Sequence, residues 1–215
     1  MSSRSIEPGL IVFEGVDGAG KGVQSRALES AMRAAGYTVK LTREPGGSPS
    51  AELIRQLIVE GAVDRWDDIS ELLLIYAARR SHLQETIKPA LAAGSWVISD
   101  RFADSSRAFQ GIAGGLGLPL VEQIHQLVVG DFRPVLTLVL DLDPQISLQR
   151  AEARGGNEDR FEQKGLQYQQ KVRAGFLQLA AASPDTHVVI NTDASIEDVQ
   201  KTIRDVVTAR LGLTL

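Results

Sequence analysis

Leu10-Ile11-Val12-Phe13, an apolar and β-rich run, passes through Glu14 into Gly15-Val16-Asp17-Gly18-Ala19-Gly20-Lys21, which has the spacing G-x-x-x-x-G-K. Apolar positions 23, 27, 28, 31 and 32 then recur at helical intervals. A strand, a glycine loop and a helix in that order make a cradle for phosphate. The glycines let successive backbone N–H groups turn onto anionic oxygens, the helix presents its positive N-terminus, and Lys21 reaches the terminal phosphates. Gly15, Val16, Asp17, Gly18, Ala19, Gly20, Lys21 and Gly22 are therefore the expected contacts of a nucleoside triphosphate. The motif departs from its usual form at the end: Gly22 and Val23 stand where a Ser or Thr would help hold Mg²⁺.

Composition bounds the remaining possibilities. A chain of 215 residues, 43% hydrophobic and 23% charged, has the material for one compact soluble domain spanning 1–215. A net charge of −4 argues against a general nucleic-acid surface, which needs a broad basic face. There is no cysteine, so disulfides and thiolate chemistry are excluded. The start lacks the apolar core of a secretory leader, and no run reaches the length of a membrane span, which makes the expected location cytoplasmic and the expected partners neither nucleic acid nor membrane.

Short apolar runs at 10–14, 38–42, 95–99, 135–141 and 187–191 alternate with helical patterns, without an internal repeat or low-complexity linker. That alternation predicts an α/β fold with a five-stranded parallel sheet flanked by helices. Ligands of such sheets bind beyond the carboxyl ends of the strands. There the chain carries Thr42-Arg43-Glu44-Pro45-Gly46-Gly47, Asp100-Arg101-Phe102 and Asp141-Leu142-Asp143-Pro144. Asp100 suits a Mg²⁺-holding role and Arg101 a phosphate clamp. Asp143 before Pro144 reads as a helix cap. Arg79 falls in a helical run over 69–93 beside Arg80, where a solvent-facing charge is the alternative to a site role. Trp66 and Trp96 are expected in the core, and the glycine-rich 111–117 is expected to be a loop. Gly155 and Gly156 interrupt an arginine-bearing helical run, the pattern of a lid over approximately 150–162 that closes on a triphosphate.

Taken together, Glu14 to Lys21, Thr42 to Gly47, Tyr76-Ala77-Ala78-Arg79, Asp100-Arg101-Phe102, Ala108-Phe109-Gln110-Gly111, Gly130 to Pro134 and Asp159-Arg160-Phe161-Glu162 resemble bacterial thymidylate kinases over nearly the whole chain. The resemblance implies a P-loop NTPase fold and transfer of the γ-phosphoryl group of ATP to dTMP, with Mg²⁺ as cofactor and a homodimer as the usual assembly. It assigns Lys21, Arg101, Arg154 and Arg160 to catalysis. It assigns Asp17, Glu44, Pro45, Ile75, Arg79, Arg101, Ser106, Phe109 and Gln110 to the acceptor, and Asp17, Asp100 and Glu162 to the metal. Two further departures accompany Gly22-Val23. Ile75 replaces a phenylalanine that stacks on thymine, and Phe109 replaces a tyrosine near the sugar. These leave two alternatives open: a kinase for dUMP or a modified pyrimidine monophosphate, and a nucleotide-binding protein with impaired catalysis.

Overall fold

The computed structural model describes residues 7–62, 64–147 and 165–215. In chain order these form β1 (Leu10–Glu14), α1 (Lys21–Ala34), β2 (Val39–Arg43), α2 (Pro49–Val59), α3 (Asp68–His82), α4 (Lys88–Ala92), β3 (Trp96–Asp100), α5 (Ala103–Ser106), α6 (Leu118–Val128), β4 (Leu136–Asp141), α7 (Leu166–Ala182), β5 (His187–Asn191) and α8 (Ile196–Leu211). π-helical turns at Leu83–Ile87 and Arg107–Ala113 continue α3 and α5.

The strands pair in parallel in the order β2-β3-β1-β4-β5, so β1 lies in the middle and all five of its residues are buried. Its alternate side chains divide the core between the two faces of the sheet. Ile11 and Phe13 join Leu28 and Met32 of α1 and Val199, Ile203 and Val207 of α8. Leu10 and Val12 join Leu72 and Tyr76 of α3 and Val121 of α6. Covering both faces is why the three central strands, β3, β1 and β4, are buried along almost their whole length, whereas the edge strand β2 is buried only at Val39.

β2 and β3 each sit one residue later than the sequence pattern suggests. They pair residue for residue from Val39 with Trp96 to Arg43 with Asp100, so the ladder runs on into their charged ends. Asp100 thereby closes β3 instead of following it. The 111–117 segment is also not wholly loop: residues 111–113 complete a π-helical turn against α7. Gly175 of α7 permits that approach, since a Cβ there would lie 3.2 Å from Ile112 and 3.3 Å from Ala108. Trp96 is in the core as expected, whereas Trp66 is only half-buried, its indole N–H capping Leu57 O at 2.9 Å beneath the Arg65 guanidinium. Asp143 does cap the turn that follows it, accepting from Gln145 N at 2.8 Å.

Candidate active site

The loop from β1 to α1 opens beside the ends of β3 and β4, the neighbours of the central strand. Gly15 and Gly18 have φ of 134° and 83°. A Cβ on Gly15 would collide with Leu140 O, and one on Gly18 with Ser147 O, so the loop is packed against β4 and the turn beyond it. Lys21 is 7% exposed and folds back across this loop, donating to Gly15 O at 3.1 Å and Val16 O at 2.8 Å. Burial, helped by nearby Arg101, lowers its pKa to about 8 against the pull of Asp17, Asp100 and Glu14. The ammonium is thus held by two loop carbonyls, with the Asp17 carboxylate 3.9 Å away.

Arg101 takes φ of 72°, the left-handed region that costs a non-glycine residue roughly 1–3 kcal/mol. The surrounding contacts hold it there. Its N–H donates to Phe13 O at 2.8 Å, and Phe102 N donates to Glu14 Oε1 at 2.8 Å. Glu14, fully buried, also accepts from Ser105 N at 3.1 Å and Ser105 Oγ at 2.6 Å. The guanidinium that this turn projects spans Gly15 O (3.0 Å), Ser105 Oγ (3.0 Å) and Asp17 Oδ1 (2.5 Å), and it lies 5.0 Å over the Phe109 ring. Burial and the nearby Asp104 push the Glu14 carboxyl up to about 7 despite its donors.

Arg79 is not solvent-facing. It is 1% exposed on α3, while the neighbouring Arg80 is exposed. It donates to Glu44 Oε2 (2.7 Å), Ser106 Oγ (2.9 Å) and Phe102 O (3.0 Å), packed against the faces of Tyr76 and Phe102. Three of its five N–H groups are thus used, which leaves two for a ligand. The other Glu44 oxygen meets His82 Nδ1 at 2.9 Å, and His82 Nε2 meets Thr42 Oγ1 at 2.7 Å. Burial raises the Glu44 pKa, but Arg79 and His82 outweigh it and hold the carboxyl below its usual value. The next residue, Pro45, follows a cis peptide, and its carbonyl accepts from Arg55 at 2.6 Å.

The remaining acceptor-side candidates gather around these arginines. Gln110 donates to the buried Glu71 at 2.9 Å. Phe109 packs edge-on against Phe176, and its carbonyl accepts from Tyr168 at 2.9 Å. Ile75 lies one turn before Arg79 on the same side of α3 and packs with Ala51 and Ile58 of α2. Among the metal candidates, Asp17 is paired with Arg101, whereas Asp100 faces position 22: a Cβ on Gly22 would stand 3.5 Å from Asp100 Oδ2. Arg154, Arg160 and Glu162 lie outside the described residues. Glu14, Glu71, His82 and Ser105 are site-building residues that the sequence pattern did not single out; Glu14 alone had a signal, as a carboxylate ending a buried strand.

Residues 13–203 match the family described as thymidylate kinase. The thymidylate kinase of Caulobacter vibrioides is 53% identical over 204 residues, covering 95% of this chain and 98% of that protein. That of Dinoroseobacter shibae is 54% identical over 186 residues, covering 86% and 89%. A crystal structure of thymidylate kinase from Ehrlichia chaffeensis superposes with a TM-score of 0.74 at 34% identity, covering 94% of this chain and all (100%) of that one. A glycine loop of the form G-x-x-x-x-G-K at the centre of a parallel sheet, with the buried Arg79 and the half-buried Arg101 near it, thus occurs in a chain that belongs to the thymidylate kinase family.

Proposed function

We propose that this chain transfers the γ-phosphoryl group of ATP to dTMP, giving dTDP and ADP for dTTP synthesis in the cytoplasm. The observation that carries this reading is the convergence of Lys21 and Arg101 on Gly15 O and Asp17 Oδ1, with Arg79 joined to the next residue through Phe102 O. Transfer between two anions needs them in line and neutralised, and little covalent help beyond that. Lys21 leaves its loop carbonyls for the β- and γ-phosphates. Arg101 binds the acceptor phosphate, its backbone fixed by Phe13 O and its side chain by Ser105 and Asp17. Arg79 uses its two remaining N–H groups on the same phosphate while Glu44 and Ser106 keep its plane. Pro45, Ile75, Phe109 and Gln110 form the walls of the base and sugar site. Arg154 and Arg160 deliver lid charge over approximately 150–162, within one domain spanning 1–215.

Magnesium fits this arrangement: Asp100 faces the phosphate loop, and Mg²⁺ commonly takes only one or two carboxylates, with phosphate oxygens and water completing its shell. Asp17 and Glu162 are the further candidates. When bound, the ion supplies charge neutralisation between the phosphates. A homodimer is supported by exposed Leu53 and Leu57 on α2 and Ile69 and Leu73 on α3, each pair four residues apart on adjacent helices. Sedimentation of the purified chain tests the dimer. For the reaction, Lys21→Met should abolish transfer while leaving dTMP affinity within about twofold, a split expected when a residue serves only the donor. Loss of dTMP binding in that variant would contradict the assignment.

A further inference from the structure

Gly22 does more than omit a hydroxyl. On α1, Cα–Cβ bonds tilt toward the N-terminus, so the side chain at position 26 lies over the turn at position 22. A Cβ on Gly22 would stand 3.4 Å from Arg26 Nη1 and 3.9 Å from Nη2, with Asp100 Oδ2 at 3.5 Å. The guanidinium and the carboxylate therefore flank the same bare backbone. Neither group has a hydrogen-bond or ion-pair partner among the described residues, in contrast to Lys21, Arg79 and Arg101, which are all held. The hydroxyl of Ser25 cannot substitute at this place, because it is buried and turned to Gly22 O at 3.4 Å.

We propose that Arg26 is a donor-phosphate ligand of this chain, its guanidinium reaching the nucleotide across Gly22. A Cβ at position 22 would meet the guanidinium in ordinary van der Waals contact, and a longer side chain there would take up part of the space the guanidinium crosses. The planar fork binds phosphate oxygens through paired, charge-assisted N–H donors. Asp100 stays available to the metal. Part of the phosphate charge that a hydroxyl-held ion would neutralise is then met by protein, and nucleotide binding depends less on Mg²⁺. This inference rests on the reading of residues 15–22 as the donor-phosphate loop.

The test is calorimetric titration of ADP into the full chain, in excess EDTA and in Mg²⁺, for the parent, Arg26→Ala, Arg26→Lys, Gly22→Thr and the double variant combining Gly22→Thr with Arg26→Ala. Arg26 is exposed and Ala is the best helix former, so the variants should fold, as circular dichroism checks. Arg26→Ala should weaken metal-free ADP binding about tenfold, equivalent to 1.4 kcal/mol, with Arg26→Lys intermediate. In the Gly22→Thr background, where the atoms beyond Cβ occupy part of the space the guanidinium crosses, the same Arg26→Ala change should cost less than about twofold. Arg26→Ala binding within twofold of the parent in EDTA, or losing equally in both backgrounds, overturns the role of Arg26 and leaves the loop assignment standing. Failure of the parent to bind ADP under either condition overturns both.

Discussion

Arg79 and Glu44 join the last turn of the molecule's third helix to the turn after β2 through a 2.7 Å ion pair whose side chains are 1% and 2% exposed. Each is oriented by the other, and His82 fixes the second Glu44 oxygen, so the pair acts as one rigid unit. Removing one partner strands a buried charge, which is worth more than the pair itself contributes. Glu44→Gln keeps an acceptor and should cost about 3 kcal/mol of unfolding free energy, with a raised KM for dTMP. Chemical unfolding at pH 7 and steady-state kinetics check both effects. Because the folded Glu44 pKa lies below the usual 4.5, its stabilisation is present above that value and is lost as pH falls through the lower folded value.

Glu14 titrates in the opposite sense. From 4.5 to about 7 the unfolded carboxyl has released its proton and the folded one has kept it, so this residue makes the fold less stable as pH rises through that window. Glu14→Gln removes the titration. The stability of the variant relative to the parent should therefore increase between pH 5 and pH 8, by up to about 3 kcal/mol. A difference that stays constant across that range contradicts the assignment.

Lys21 has its pKa lowered to about 8, close enough to neutral for nucleotide affinity to report it. ADP binding should be constant below that value and fall by up to about tenfold per pH unit above it, since only the charged ammonium attracts phosphate. Lys21→Met should bind weakly with no such slope. A parental affinity independent of pH between 7 and 10 contradicts the prediction.

Gly22→Thr tests the missing hydroxyl. The nearest atoms to an added Cβ are the mobile Arg26 head at 3.4 Å and Asp100 at 3.5 Å, so the position admits a side chain. The new hydroxyl would face Asp100 on the metal side of the loop. The Mg²⁺ concentration for half-maximal transfer should drop roughly three- to tenfold, the worth of one polar contact. An unchanged Mg²⁺ requirement means that carboxylate, phosphate and water already complete the coordination.

The legible part of this protein was whatever period and spacing encode. Buried β1, the phosphate loop and the parallel alternation could be read directly, because each depends on neighbours in sequence. Asp100, Arg101 and Glu44 stand out in the sequence because strand ends are where such sheets bind ligands. The supports of those residues were less visible: His82 and Ser105 meet Glu44 and Glu14 only after residues 38 and 91 positions apart come together. Arg79 showed the limit most clearly, since a double arginine on a helix carries no mark of which member turns inward. The π-helical turn at 107–113 was hidden for a related reason: it answers to close packing by Gly175, which local glycine content cannot reveal.

The most direct test is steady-state transfer from ATP to dTMP, dUMP, UMP, dCMP and AMP, with Mg²⁺ varied and excess EDTA as the blank. Mg²⁺-stimulated turnover is expected, with kcat/KM for dTMP at least about tenfold above every other acceptor, which is about 1.4 kcal/mol of transition-state discrimination. Preference for another monophosphate would reassign the acceptor, with Ile75 and Phe109 acting as a different selector. No turnover with any acceptor, in a chain that binds ATP, would contradict the kinase reading itself.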